Sequence, residues 1–153
     1  MTGSIKSSVV LFVFLAILTL ALSSSPGKSA EIKLSGFEKW EVHVVNGLGG
    51  GKSLFVHCKS KDDDLGTHDL AIGAEVNWSF DTNYFGTTLF WCYLRTNKEH
   101  ASFDVFWVEK EHHWLAERCM VRNCIWIAKD DGVYLKNNPQ HLDERIHNWE
   151  QAI

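Results

Sequence analysis

The chain has 153 residues, with 15 Lys or Arg against 19 Asp or Glu, a net charge of −4 when histidine is neutral. That length suits one domain with a single hydrophobic core. The acidic balance, with no cluster of Lys and Arg to meet phosphates, excludes nucleic acid as a partner.

The N-terminus has the order of a secretory leader. Lys6 and the α-amino group give a positive start, Val9 to Leu22 form an apolar run broken only by Thr19, and the small residues Ser23, Ser24, Ser25, Gly27, Ser29 and Ala30 follow. A transmembrane helix needs about 20 apolar residues, so this shorter run reads as a cleaved signal and not as an anchor. Residues 1–30 are assigned to the signal peptide, with cleavage between 23 and 30, and residues 31–153 to one mature domain. Loss of Lys6 and Lys28 leaves 13 basic residues against 19 acidic ones. No later apolar run could span a bilayer, so the expectation is a secreted, extracellular protein without stable membrane insertion.

The mature chain reads as strands. Trp40 to Asn46 alternates and then meets Gly47 and Gly49-Gly50-Gly51, glycines that permit positive φ and mark a flexible turn. Ser53 to Lys59 follows, with Leu54, Val56 and Cys58 on one face and Phe55 and His57 on the other. Lys61 to Gly66 is a polar turn. Its Asp62-Asp63-Asp64 lacks the alternate spacing of an EF-hand and reads as a solvated turn, not a calcium site. Glu75 to Asp81 is the cleanest period-two segment, with Val76, Trp78 and Phe80 facing one way. Thr88 to Leu94 is apolar on both faces, which predicts a central strand covered on both sides or open to a partner on one. Ser102 to Val108 repeats the pattern through Phe103, Val105 and Trp107.

After a charged stretch from Glu109 to Arg122, Cys124–Ala128 and Val133–Leu135 flank Asp130-Asp131-Gly132, a strong hairpin signal. The tail past Pro139 is polar. Ile146 and Trp149 are spaced like one helical face, so a short helix or a frayed end is expected there. Together these segments predict an all-β fold, an antiparallel β-sandwich of about eight short strands, with a closed barrel as the alternative.

Four cysteines, Cys58, Cys92, Cys119 and Cys124, follow the leader, and an even count in a secreted chain reads as two disulfides. Three connectivities are open. The preferred reading joins Cys58 to Cys124 and Cys92 to Cys119, cross-linking the two layers. No Cys-x-x-Cys pair suggests a metal. No His-Glu-x-x-His or Gly-x-Ser-x-Gly motif occurs, adjacent His112 and His113 would point to opposite faces of a strand, and the thiols are spent in disulfides. The expectation is therefore a protein that is not an enzyme, with no catalytic residues, cofactor or metal.

Asn77-Trp78-Ser79 is an N-glycosylation sequon. Asn77 alternates with Trp78 and should face solvent if Trp78 faces the core. Most of the seven tryptophans read as core, Trp78, Trp91 and Trp126 among them. Trp114 stands apart, because it lies among charges in the connection 109–118. Loops carry recognition, and an aromatic among charges resembles an interface anchor. Glu109, His112, His113, Trp114 and Glu117 are the candidate partner-binding residues, with the 47–52 turn as a second contact.

Several blocks then form an ordered set. Trp40-x-Val42-x-Val44-x-Asn46 precedes His57-Cys58-x-Ser60-x-Asp62-Asp63-Asp64-Leu65-Gly66. Trp78-x-Phe80 and Phe90-Trp91-Cys92 follow, and then Arg118-Cys119, Cys124-Ile125-Trp126 and Asp131-Gly132-Val133-Tyr134. In order and spacing the chain resembles the plant self-incompatibility S1 family, the S-protein homologues, from about Trp40 to Leu135. The resemblance implies a small secreted β-sandwich with two disulfides and a signalling role. One member, from poppy stigma, is a ligand for a pollen membrane protein. The expected function is thus that of a secreted, monomeric ligand for a cell-surface membrane receptor. A secreted toxin or defence protein is one alternative, disfavoured by the acidic charge. A carbohydrate-binding module is another.

Overall fold

The alternating segments do form strands. The computed structural model describes residues 39–152; the expected signal peptide lies outside them. Among the described residues there are ten strands: β1 (Trp40–Asn46), β2 (Leu54–Ser60), β3 (Asp64–Leu70), β4 (Glu75–Phe80), β5 (Leu89–Arg95), β6 (Glu99–Trp107), β7 (Asn123–Lys129), β8 (Gly132–Asn137), β9 (Leu142–His147) and β10 (Glu150–Gln151). A five-residue helix, α1 (Trp114–Arg118), and a 3₁₀ turn, Met120–Arg122, lie between β6 and β7. Among the described residues no helix is long and apolar enough to cross a membrane.

The strands build two five-stranded sheets, in the orders β4-β1-β7-β8-β9 and β10-β6-β5-β2-β3. This is the expected sandwich. All pairings are antiparallel except β1 with β7, which run parallel from Glu41↔Asn123 to Asn46↔Ala128. The strand count exceeds the expected eight for two reasons. β3 begins inside what reads as a polar turn, because its exposed residues need only ladder bonds to β2 and not an apolar face. The tail is strand and not helix: β9 completes the edge of the first sheet, and Trp149 packs on the core while its Nε1 donates to the Lys129 carbonyl at 2.7 Å.

The core lies between the sheets. Val42 and Val44 of β1, Trp126 of β7 and Val133 and Leu135 of β8 face Leu54 and Val56 of β2, Cys92 and Leu94 of β5 and Val105 of β6, all fully buried. Trp126 Nε1 donates to the Val105 carbonyl at 2.9 Å, tying one sheet to the other. A register shift opposite Phe90 and Trp91 buries both Val105 and Phe106, adjacent residues that strict alternation would put on opposite faces. Only one side of β5 is covered. Phe90, Cys92 and Leu94 are buried, whereas Trp91 and Tyr93 lie half-buried on the outer face, so Trp91 is not a core residue.

The Asp-Gly signal marks the β7–β8 hairpin. A Cβ on Gly132 would stand 2.6 Å from the His147 carbonyl oxygen, so only glycine lets β9 approach there. At the glycine run, Gly50 and Gly51 take positive φ of 64° and 76°, as the turn requires.

The disulfide pairing differs from the preferred reading. Cys58 bonds to Cys92 and Cys119 to Cys124. Cys58 and Cys92 are direct partners on neighbouring strands β2 and β5. Cys119 and Cys124 flank the 3₁₀ turn. Neither bond crosses between the sheets, so the layers are not cross-linked; strand register brings together cysteines that sequence spacing leaves ambiguous.

Candidate functional site

The strand registers define two ends of the sandwich. At one end, Trp40 starts β1 opposite Phe80, the last residue of β4, and Leu89 starts β5 opposite Trp107, the last residue of β6. Trp40 and Phe80 both pack on Phe106, with ring centroids 4.9 and 4.7 Å away, which joins the two sheets here. The β2–β3 turn, the β4–β5 loop, the 108–122 connection and the β8–β9 loop all emerge at this pole. Asn138 fastens the last of these to the connection: its N–H donates to the Arg118 carbonyl at 3.0 Å and its Nδ2 to the Asn123 carbonyl at 2.8 Å.

This pole carries the exposed apolar surface. Among the described residues seven large apolar side chains are exposed, and six of them, Tyr84, Phe85, Leu89, Met120, Val121 and Leu142, sit at this end. Tyr84 is 98% exposed and Phe85 81%. Their loop is nonetheless built. Asn83 accepts from the Thr87 N–H at 2.8 Å and donates through Nδ2 to Thr87 Oγ1 at 2.8 Å, while its own N–H donates to Thr88 Oγ1 at 2.8 Å. Such bonds hold the two aromatics out without the ordering cost of a floppy loop.

The turn closed by Cys119 and Cys124 is the second apolar prong. Val121 has φ 57° and is 74% exposed, and Arg122 has φ 61°. A β-branched residue in the left-handed region is strained, and such strain concentrates where binding or catalysis uses it. Between the prongs runs a shallow cleft lined by Lys39, Trp40, Asp81, Thr82 and Arg122.

The connection 109–118 belongs to the same pole, but its residues divide into two kinds. Glu109 is spent on the helix: its carboxylate accepts the Leu115 N–H at 2.9 Å and the Ala116 N–H at 3.1 Å, satisfying donors the first turn leaves free. Trp114 is folded back on the core and half-buried, stacked on Trp107 at 5.9 Å with the Arg118 guanidinium 4.2 Å from its ring. Arg118 is itself held by Glu144 at 2.6 Å. Asn137 and Arg118 both bond the Glu144 carboxylate and hold it below its ordinary range. His112, His113 and Glu117 are exposed and free to touch another molecule.

The 47–52 turn lies at the opposite end of the strands from 109–118. It is tied down by Asp130, which accepts the Gly49 N–H at 3.1 Å and pairs with Lys52 Nζ at 2.6 Å. Strand patterning does not single out Tyr84 and Phe85. Their one sequence signal is an aromatic pair enclosed by turn residues, Asp81-Thr82-Asn83 before and Gly86-Thr87-Thr88 after.

The acidic segment turns as far as Asp63 and is strand from Asp64 onward. Ser60 Oγ accepts the Asp63 N–H at 3.0 Å, and the Asp64 carboxylate accepts the Gly66 N–H at 2.9 Å and bonds His57 at 2.7 Å. The Gly66 N–H, then His57, lower the Asp64 pKa. Asn77 is exposed at the middle of β4.

Comparison with known proteins adds the family. Residues 41–149 match the family model described as plant self-incompatibility protein S1. The chain is 42% identical to S-protein homolog 1 of Arabidopsis thaliana over 78% of each chain, and 35% identical to S-protein homolog 74 of the same plant over 97% of each. It is 32% identical to self-incompatibility protein S1 of Papaver rhoeas over 81% of each. A solved structure of self-incompatibility protein homologues, described as a widespread family of small, highly stable, secreted proteins from plants, aligns with a TM-score of 0.58 at 19% identity, covering 76% of this chain and 98% of that one. The chain belongs to the plant self-incompatibility protein S1 family, the S-protein homologues.

Proposed function

We propose that this secreted protein is a signalling ligand, and that it binds the extracellular part of a cell-surface membrane receptor through the apolar pole. The observation that carries the reading is the gathering of six exposed apolar side chains at one end of the sandwich. Exposed apolar patches mark interaction sites, and aromatic anchors carry most of the energy of protein interfaces. Tyr84 and Phe85 act as anchors, Met120 and Val121 add a second contact, and His112, His113 and Glu117 form a polar rim. Glu109 and Trp114 shape the rim from beneath. No chemistry is asked of these groups, so the role is binding and not catalysis.

The test is saturable binding of the labelled mature protein to intact plant cells, with proximity labelling to name the membrane partner. Tyr84→Ser with Phe85→Ser should weaken binding at least tenfold. Ile72→Ser, which alters the exposed apolar residue at the other end, should leave it unchanged. Full binding by the double variant would refute the assignment of the pole.

A second reading rests on the outer face of the second sheet. Phe55 and Tyr93 stand 6.3 Å apart there, and Trp91 lies under Lys59. Aromatic rings among polar groups suit the faces of sugar rings, and loss of oligosaccharide binding in Trp91→Ala would be its signature.

A further inference from the structure

The four edge strands of the sandwich are β4 and β9 in one sheet and β10 and β3 in the other. An edge strand presents unpaired N–H and C=O groups, and proteins blunt such edges with short length, bulges, charges or covering groups. β10 is two residues long. β9 carries Asp143, Glu144 and Arg145, and its pairing with β8 slips between Val133 and Tyr134. β3 carries Asp64 and Asp69, has Gly66 at φ 79°, and pairs with β2 across a register shift.

β4 has none of these devices along its length. Its six residues pair with β1 through six consecutive partners, Trp40↔Phe80 to Val45↔Glu75, with no shift. Its one charge, Glu75, stands at the end. The remaining sequence, Val76-Asn77-Trp78-Ser79-Phe80, is rich in strand formers and has no proline, lysine or glycine. A regular, unbulged edge of this kind is a site for pairing with another chain.

The same strand holds the sequon. Asn77 is exposed at its centre, opposite His43 on the outward face, while Trp78 packs against the core. We propose that Asn77 carries an N-linked glycan and that this glycan guards the β4 edge against edge-to-edge association. As the secreted chain enters the export pathway, Asn77 Nδ2 forms a bond to the anomeric carbon of an oligosaccharide held on a lipid pyrophosphate. The pyrophosphate leaves with the electrons of its bond to the sugar, and the nitrogen gives up one proton. The other hydrogen stays, so Nδ2 can still donate to Glu75 Oε1, 2.9 Å away in the folded protein. A bulky, hydrated group rooted at mid-strand denies a second strand access to the ladder.

The inference does not depend on the receptor reading. Its test is secretion of the wild-type chain, Asn77→Gln, Ser79→Ala and Ser79→Thr from plant cells, with intact masses measured before and after enzymatic deglycosylation. Wild type and Ser79→Thr should carry the glycan, and Asn77→Gln and Ser79→Ala should lack it. Sedimentation velocity over a concentration series then reads self-association. Glycan-free protein should associate at concentrations at least tenfold lower than the glycosylated form. If the variants are not secreted, deglycosylation of folded wild type supplies the glycan-free sample. An unmodified Asn77 in the wild type overturns the proposal, and so does glycan-free protein that stays as monomeric as the glycosylated one.

Discussion

Asn46 ends β1 and is completely buried. Its Nδ2 donates to the Leu70 carbonyl at 2.8 Å and the Lys52 carbonyl at 3.0 Å, and its Oδ1 accepts the Leu48 N–H at 3.0 Å. One side chain thus satisfies three backbone groups, two in the 47–52 turn and one at the end of β3. Asn46→Ala strands buried polar groups whose desolvation is no longer offset, and should cost about 3 kcal/mol in denaturant unfolding. His147 is held differently, by ring stacking. It stacks on Phe103 at 4.4 Å, and burial lowers its pKa against a small opposing effect of Asp104. Above the ordinary value of 6.5 the ring is neutral whether folded or unfolded, so it adds no pH dependence there. As pH falls through 6.5, the unfolded chain takes up a proton that the folded state resists, and stability drops until the folded pKa is passed. His147→Phe keeps the stack and should flatten the stability profile just below 6.5. Asp64, Asp130, Asp131 and Glu144, held below their ordinary values, act in a lower window: their contribution is present above about 4 and lost as pH falls through their folded pKa values.

A five-residue helix has too few internal bonds to stand alone. α1 persists because Glu109 caps its first turn and Trp114 is clamped between Trp107 and Arg118. Glu109→Ala should cost about 1 kcal/mol, typical of a lost cap. Trp114→Ala removes a half-buried aromatic and should cost about 2 kcal/mol, somewhat less than a fully buried one. Thermal unfolding of each variant, beside its cell binding, separates a supporting role from direct contact. If Trp114→Ala unfolds like the wild type, the clamp is not what holds this connection.

Across the whole molecule, the two layers are joined by core packing and not by sulfur. The chain-entropy argument ranks the bonds: Cys58–Cys92 closes a separation of 34 residues and Cys119–Cys124 one of 5. Replacing the first pair by alanine should cost about 4 kcal/mol and the second about 2, measured by denaturant unfolding. A larger loss from the second pair would refute that ranking. Removal of the second pair should also release Val121 from its left-handed conformation and so weaken cell binding beyond its effect on stability. Tyr84→Ser with Phe85→Ser should leave unfolding within about 0.5 kcal/mol of the wild type, as expected for exposed sites. The pole would then be a surface whose aromatics serve recognition and not the fold.

Sequence alone determined what depends on local alternation and composition. Val42 and Val44, Leu54 and Val56, and Val76 and Trp78 each mark an inward face, because side chains of a strand point in turn to opposite sides. Asp131-Gly132 marks its hairpin for an equally local reason, the backbone freedom of glycine. Tertiary structure decided everything that depends on which strands become neighbours. The parallel pairing of β1 with β7, the meeting of Cys58 with Cys92 and the strand character of the tail all arise from long-range ladders that no local pattern encodes. The pole is of the same kind: Tyr84, Val121 and Leu142 are far apart in the chain, and only the folding of two sheets brings their loops to one end.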